Sequence, residues 1–291
     1  MNPADRSQPA RADEEGPFRA GAESHPNDRK PGAQGWLRWL AVVGWFEALL
    51  VAASMLPMNA SLSPIVAFAI GFCAVVASVI ATSLATPRFS PRALPLLILP
   101  ALLLGLLGFY PGVGLDRAVA VTAALLLGGT LLGTVVGQAI EHPGQLVFVA
   151  IVSSAADVLS VFHTSGPSAA LAQSEAALSV LALPWPMLGI GSVEPFLGAG
   201  DIVFTALYVA CARRHALLLK RAALALAAGF ALTLVAVVVF EAAIPALPLL
   251  GLAVIVAEPA ARRPLARDRM RGYGTALGLV LIVAALLFGQ R

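Results

Sequence analysis

Charge is scarce in this chain. Asp, Glu, Lys and Arg make up 12% of its 291 residues, and lysine occurs only at Lys30 and Lys220. A soluble domain carries about 25%. So few charges cannot coat a water-facing surface, which argues against an ordinary soluble fold. The net charge of +3 is small and most arginines fall between apolar runs. They read as topology signals, and no nucleic-acid partner is expected. Cysteine is limited to Cys73 and Cys211, each inside an apolar run. That excludes a disulfide framework and reads as small core residues. The four histidines are scattered, with no Cys/His ligand spacing, so neither a metal nor another cofactor is expected. No internal repeat is visible.

What the chain has is hydrophobic residues, 59% of the total, and a mean hydropathy of +0.86. Long apolar runs define an all-α, polytopic transmembrane bundle whose first partner is the lipid bilayer. Residues 1–35 are rich in Pro, Gly, Asp, Glu and Arg and are expected to form a disordered polar tail. That tail is too long and too acidic for the basic start of a secretory signal, so the apolar run from Trp36 should be retained. The transmembrane domain is then 36–291. The excess of Arg over Lys, with abundant Ala and Leu, points to a GC-rich bacterial genome and a bacterial inner membrane.

Nine spans are expected, at about 36–56, 62–86, 93–110, 118–140, 145–163, 196–212, 220–241, 245–257 and 273–289. The eighth rises only ~20 Å, less than a bilayer core of ~30 Å, so it must be broken, partly unwound or surrounded by protein. Arg29, Lys30 and Arg38, then Arg88 and Arg92, then Arg213, Arg214, Lys220 and Arg221, then Arg262, Arg263, Arg267, Arg269 and Arg271 fall on one side under this count. The amino terminus is therefore expected in the cytoplasm. The 164–195 connection lies on the other side. Its SAALAQSEAALSVLALPWPML stretch reads as an interfacial or re-entrant helix ended by Pro184 and Pro186, either a gate or a plain connector.

Two aspartates lie inside apolar runs, Asp157 and Asp201. A carboxylate at bilayer depth costs roughly 2.5–3.5 kcal/mol on insertion scales and is usually functional. Asp157 falls about six residues before the fifth span ends and Asp201 about five after the sixth begins, which puts both ~8–9 Å below the same surface. Two carboxylates sharing one proton can act as acid and base on a water molecule, so the pair points to an aspartyl protease working within the membrane. Gly198 and Gly200, flanking Ala199, should loosen the helix start and leave room for water and an extended substrate. Pro245, Ala246, Leu247 and Pro248 open the eighth span. Two prolines three apart remove two N–H donors, and unwound backbone there is expected to pair with a substrate strand.

In order and context these pieces resemble the presenilin and signal peptide peptidase family of intramembrane aspartyl proteases. Asp157 begins DVLSVFHTSGP, Gly198 to Asp201 read GAGD and are followed by IVF, and Pro245 to Pro248 read PALP. The resemblance covers roughly 145–257. It implies that Asp157 and Asp201 are catalytic, that the PALP segment shapes the site, and that the substrates are transmembrane peptides. Two departures stand out: Ala156 replaces the tyrosine common before the first aspartate, and four spans precede Asp157 where the family usually has five. With four, the first-aspartate helix runs outward, as in signal peptide peptidase, and the implied substrates have a cytoplasmic amino terminus, such as signal-peptide remnants.

Two rival readings remain. Prepilin peptidases share GxGD, but usually follow it with Lys-Leu where this chain has Ile202-Val203-Phe204. A proton-coupled transporter would use the aspartates as carriers, but commonly shows repeats and midplane sites. Glu47 is a third acid in an apolar run, expected to be structural and to pair with a polar group such as Gln138, with proton sensing as the alternative. His163 ends the fifth span and reads as an interfacial histidine or a local pH modulator.

Overall fold

A computed structural model describes residues 32–55, 62–89, 91–109, 114–162, 175–188, 192–242 and 244–288. The polar tail through residue 31, His163 and residues 164–174 lie outside the described residues.

Among the described residues there are ten α-helices: α1 Ala33–Ser54, α2 Pro64–Ala85, α3 Ile98–Phe109, α4 Leu115–Ala139, α5 Leu146–Phe162, α6 Glu175–Leu181, α7 Ala199–Arg214, α8 Leu219–Phe240, α9 Leu247–Ala257 and α10 Ala266–Phe288. Among the described residues, five helical stretches are long and apolar enough to cross a membrane: Ala33–Ser54, Pro64–Ala85, Leu115–Ala139, Pro143–Phe162 and Leu219–Phe240. Large apolar side chains face outward along them, among them Trp45, Ile65, Leu224, Val235 and Val239. In water such a surface would aggregate, whereas in lipid it is already solvated.

The eighth apolar segment is the short helix α9, only 11 residues long. It packs between α5 and α8, burying Leu247, Leu250, Gly251 and Val254. A turn at Pro259–Arg262 follows it.

The 164–195 connection departs from the all-α expectation. After α6 the chain forms an antiparallel hairpin, β1 Ala182–Pro186 paired with β2 Val193–Gly198. Pro184 and Pro186 do not end a long interfacial helix; they sit inside a strand. A two-stranded ribbon tolerates prolines because each strand has an unpaired edge where the missing N–H costs nothing. The pairing shifts register between Leu183 and Pro184. Leu183 and Trp185 are buried, Phe196 stacks on Phe68 at 5.1 Å, and both Trp185 and Phe196 press against Gly71 of α2. Tertiary packing, not local propensity, selects the strand.

One end of the bundle gathers the basic residues. Arg213 lies within electrostatic reach of Arg38 and Arg88. Its guanidinium donates to the Thr86 carbonyl and, at 2.7 Å, to the Leu84 carbonyl, tying α7 to the end of α2. Helix α7 ends in a Schellman turn: Ala216 has φ 53° and the Leu217 N–H donates to the Ala212 carbonyl at 2.8 Å. The His215 ring nitrogen contacts the Ile140 carbonyl at 3.0 Å, closing this end against the α4–α5 connection.

Candidate active site

Asp201 is the third residue of α7, and its carboxylate accepts from the Gly198 N–H at 3.3 Å. The helix starts at Ala199, directly after strand β2, so the hairpin aims the aspartate. This changes the expected role of the glycines. Gly198 has φ −70° and ψ 154°, ordinary extended backbone, and helical structure is already established at Gly200. They do not loosen the helix start. What Gly200 provides is space, since a Cβ there would meet nothing within 4 Å.

Asp157 lies in the last third of α5, half-buried. Its Oδ2 accepts from the Leu247 N–H at 3.0 Å. Leu247 opens α9, Ala246 precedes it in the right-handed region, and Pro248 follows in the first turn. Pro245, Ala246 and Leu247 are buried and Pro248 is partly so. The PALP backbone therefore does not offer all its free donors to a substrate strand: its Leu247 N–H is taken up by Asp157. Pro248 has no N–H to compete, and the positive end of α9 favours a carboxylate there.

The Asp157 and Asp201 carboxylates lie close enough to interact electrostatically. Three segments far apart in sequence thus converge: the end of α5, the start of α7 and the start of α9. Beside them an apolar groove of about 390 Å³ runs between α5, α9 and α10, lined by Ala155, Val158, Pro248, Leu252 and Val280. Among the described residues no group of three or more His, Cys, Asp or Glu could hold a metal.

Sequence reasoning passed over the glycines of α4. A Cβ on Gly129 would lie 2.8 Å from Ile202 Cγ2, one on Gly133 only 2.1 Å from the Val203 carbonyl, and one on Gly137 2.4 Å from the Leu207 carbonyl. This stripe, spaced by four, brings the α4 and α7 backbones together in parallel, with its first contact one residue from Asp201. Small residues at such spacing are the usual means of close helix contact in membranes, and that spacing was the available signal.

Glu47 does not pair with Gln138. The Trp39 indole donates to Thr130 Oγ1 at 3.2 Å. Helices α1 and α4 run antiparallel from that point, so Glu47 and Gln138 lie in opposite directions, roughly 24 Å apart along the axes. Both Glu47 carboxylate oxygens are buried without a hydrogen-bond partner among the described residues.

No family model, curated protein or solved structure matches the chain.

Proposed function

We propose that this protein is an intramembrane aspartyl endopeptidase of presenilin-like organisation, with nine spans and a cytoplasmic amino terminus in a bacterial inner membrane. The observation that carries the reading is the convergence of Asp157, Asp201 and the PALP segment, with the Leu247 N–H on Asp157 and the two carboxylates within electrostatic reach of each other.

The chemistry follows from that arrangement. Two close carboxylates retain one proton between them, and the pair behaves as a unit. The ionised member takes a proton from water, and the protonated member hydrogen-bonds the scissile carbonyl and polarises it. The Leu247 N–H holds Asp157 in place. The open space at Gly200 admits an unwound substrate backbone, and the edge of β2 that β1 leaves unpaired offers it main-chain partners. The apolar groove beside Asp157 suits a transmembrane segment before it unwinds. Signal-peptide remnants with a cytoplasmic amino terminus are the proposed substrates, and no cofactor takes part.

The test is co-expression with a tagged single-span reporter whose amino terminus is cytoplasmic, comparing the wild type with Asp201→Ala. Cleavage within the span that disappears in the variant supports protease and orientation together. Cleavage only of the reversed reporter keeps the protease and overturns the orientation. Proton-driven uptake lost in Asp201→Asn, with no proteolysis of either reporter, would establish the transporter reading instead.

A further inference from the structure

Beside the aspartate pair lies a set of buried hydroxyls. At 3.6 residues per turn, Asp201, Thr205 and Tyr208 share one stripe of α7. It is opposite the face that packs on the α4 glycines through Val203, Ala206 and Leu207. By the same spacing Ala150, Ser153 and Asp157 share one stripe of α5. Ser153, Thr205 and Tyr208 are 3%, 0% and 1% exposed, so all three are sealed inside the protein.

The two stripes meet. A Cβ on Gly251 of α9 would lie 2.8 Å from Ala150 Cβ and 3.2 Å from the Tyr208 hydroxyl. Tyr208 therefore reaches from α7 into the seam between α5 and α9, four residues beyond the Leu247 N–H that binds Asp157. There its hydroxyl interacts with Ser153 without forming a hydrogen bond of standard geometry. Ser153 donates to the Ala150 carbonyl at 3.1 Å, which leaves its oxygen lone pairs for another donor. The Thr205 and Tyr208 hydroxyls have no hydrogen-bond partner among the described residues. Buried hydroxyls left unpaired are costly, and Val and Phe would fill the same space without that cost. A helical side chain also leans toward the amino-terminal end of its helix, which for Tyr208 is the Asp201 end.

We propose that Ser153, Thr205 and Tyr208 form a water-holding site one to two helical turns from the aspartate pair, with Tyr208 as a positioning residue. The catalytic part of this inference rests on the protease reading. The site holds the molecule that the reaction consumes. The water oxygen bonds to the scissile carbonyl carbon as the C–N bond breaks. Of the two water protons, one stays on the new carboxylic acid and the other goes to the new amine. A water with three hydroxyl neighbours is confined, and Thr205 continues the polar stripe of α7 from Tyr208 toward Asp201.

Two measurements test this. The first is kinetic, on a reporter that the wild type cleaves. Tyr208→Phe keeps the ring and removes the hydroxyl. Its kcat should fall 10- to 100-fold with KM unchanged, and thermal stability in detergent should hold or rise. Adding Ser153→Ala should cost less than the product of the two single losses, and Ser153→Thr should retain more activity than Ser153→Ala. An unchanged kcat in Tyr208→Phe overturns the positioning role.

The second measurement needs no cleavage. X-ray radiolytic footprinting makes hydroxyl radicals from bound water in place, so a buried ring beside water is labelled while an equally buried dry ring is not. Tyr208 should be labelled at least tenfold faster than Phe230, which is 0% exposed within the apolar core. Equal labelling of the two rings overturns the water site. Faster labelling of Tyr208, in a protein that cleaves neither reporter and shows proton-driven uptake lost in Asp201→Asn, upholds the water site and overturns the protease reading.

Discussion

Gly133→Ala is the most direct probe of how the scaffold sets the site. The added Cβ would lie 2.1 Å from the Val203 carbonyl oxygen, 2.8 Å from Ala206 Cβ and 3.0 Å from the Leu207 nitrogen. Two of these partners are backbone, so no rotamer change relieves the clash, and α7 must retreat by nearly 1 Å to restore even a tight contact. Overpacking of this kind costs about 1–3 kcal/mol. The gain in helix propensity from Gly to Ala offsets at most about 1 kcal/mol of it. Asp201 begins the helix that is displaced, while Asp157 is fixed to α9 through Leu247 and does not follow. A misplacement of about 1 Å between reacting groups can lower a rate by ~10²-fold. The assay is reporter cleavage in membranes with thermal unfolding of the purified protein in detergent. Gly44→Ala serves as control, because a Cβ there meets nothing within 4 Å. Cleavage and stability at wild-type levels in Gly133→Ala would refute the claim that the α4 glycines set the position of Asp201.

Other expectations follow from single contacts. Asp157→Ala and Asp201→Ala should each abolish reporter cleavage while the protein still inserts; cleavage near the wild-type rate in either would remove the dyad. Activity should fall in alkaline buffer, where the pair loses its shared proton, and a flat profile into that range would contradict the mechanism. Ala216→Gly should raise thermal stability by about 1 kcal/mol, because φ 53° suits glycine and strains alanine. His215 lies outside the spans, and burial holds its pKa below the ordinary value of 6.5 despite the Ile140 carbonyl. A depressed base gives stability that is complete above pH 6.5 and declines as pH falls through it. Unfolding temperatures compared at pH 7.5 and 5.5 should therefore drop more for the wild type than for His215→Gln.

The membrane class was legible from composition, because no water-soluble fold can carry this much hydrophobic surface with so few charges. Apolar runs marked most helix bounds to within a few residues, since backbone in lipid must hydrogen-bond within its own segment; α3 begins five residues later than its apolar run, at Ile98, and α10 seven residues earlier, at Ala266, through a charged first turn. Asp157, GAGD and PALP were legible as outliers, polar or helix-breaking residues where lipid disfavours them.

Their arrangement was not legible. Proline reads as a helix breaker in any one-dimensional scan, so the β1–β2 hairpin waited on Phe68 and Gly71 to show which face Trp185 and Phe196 cover. Leu247 carries no side-chain signal for its role, because the group that binds Asp157 is a backbone N–H that every non-proline residue has. The hydroxyls of Ser153, Thr205 and Tyr208 look like ordinary polar residues within spans until Gly251 brings α9 against both helices. Sequence alone determined what each segment is made of and hence which solvent it needs. Only the tertiary structure decided which segments meet, because close contact depends on side chains that are missing, at Gly129, Gly133, Gly137 and Gly251, as much as on those present.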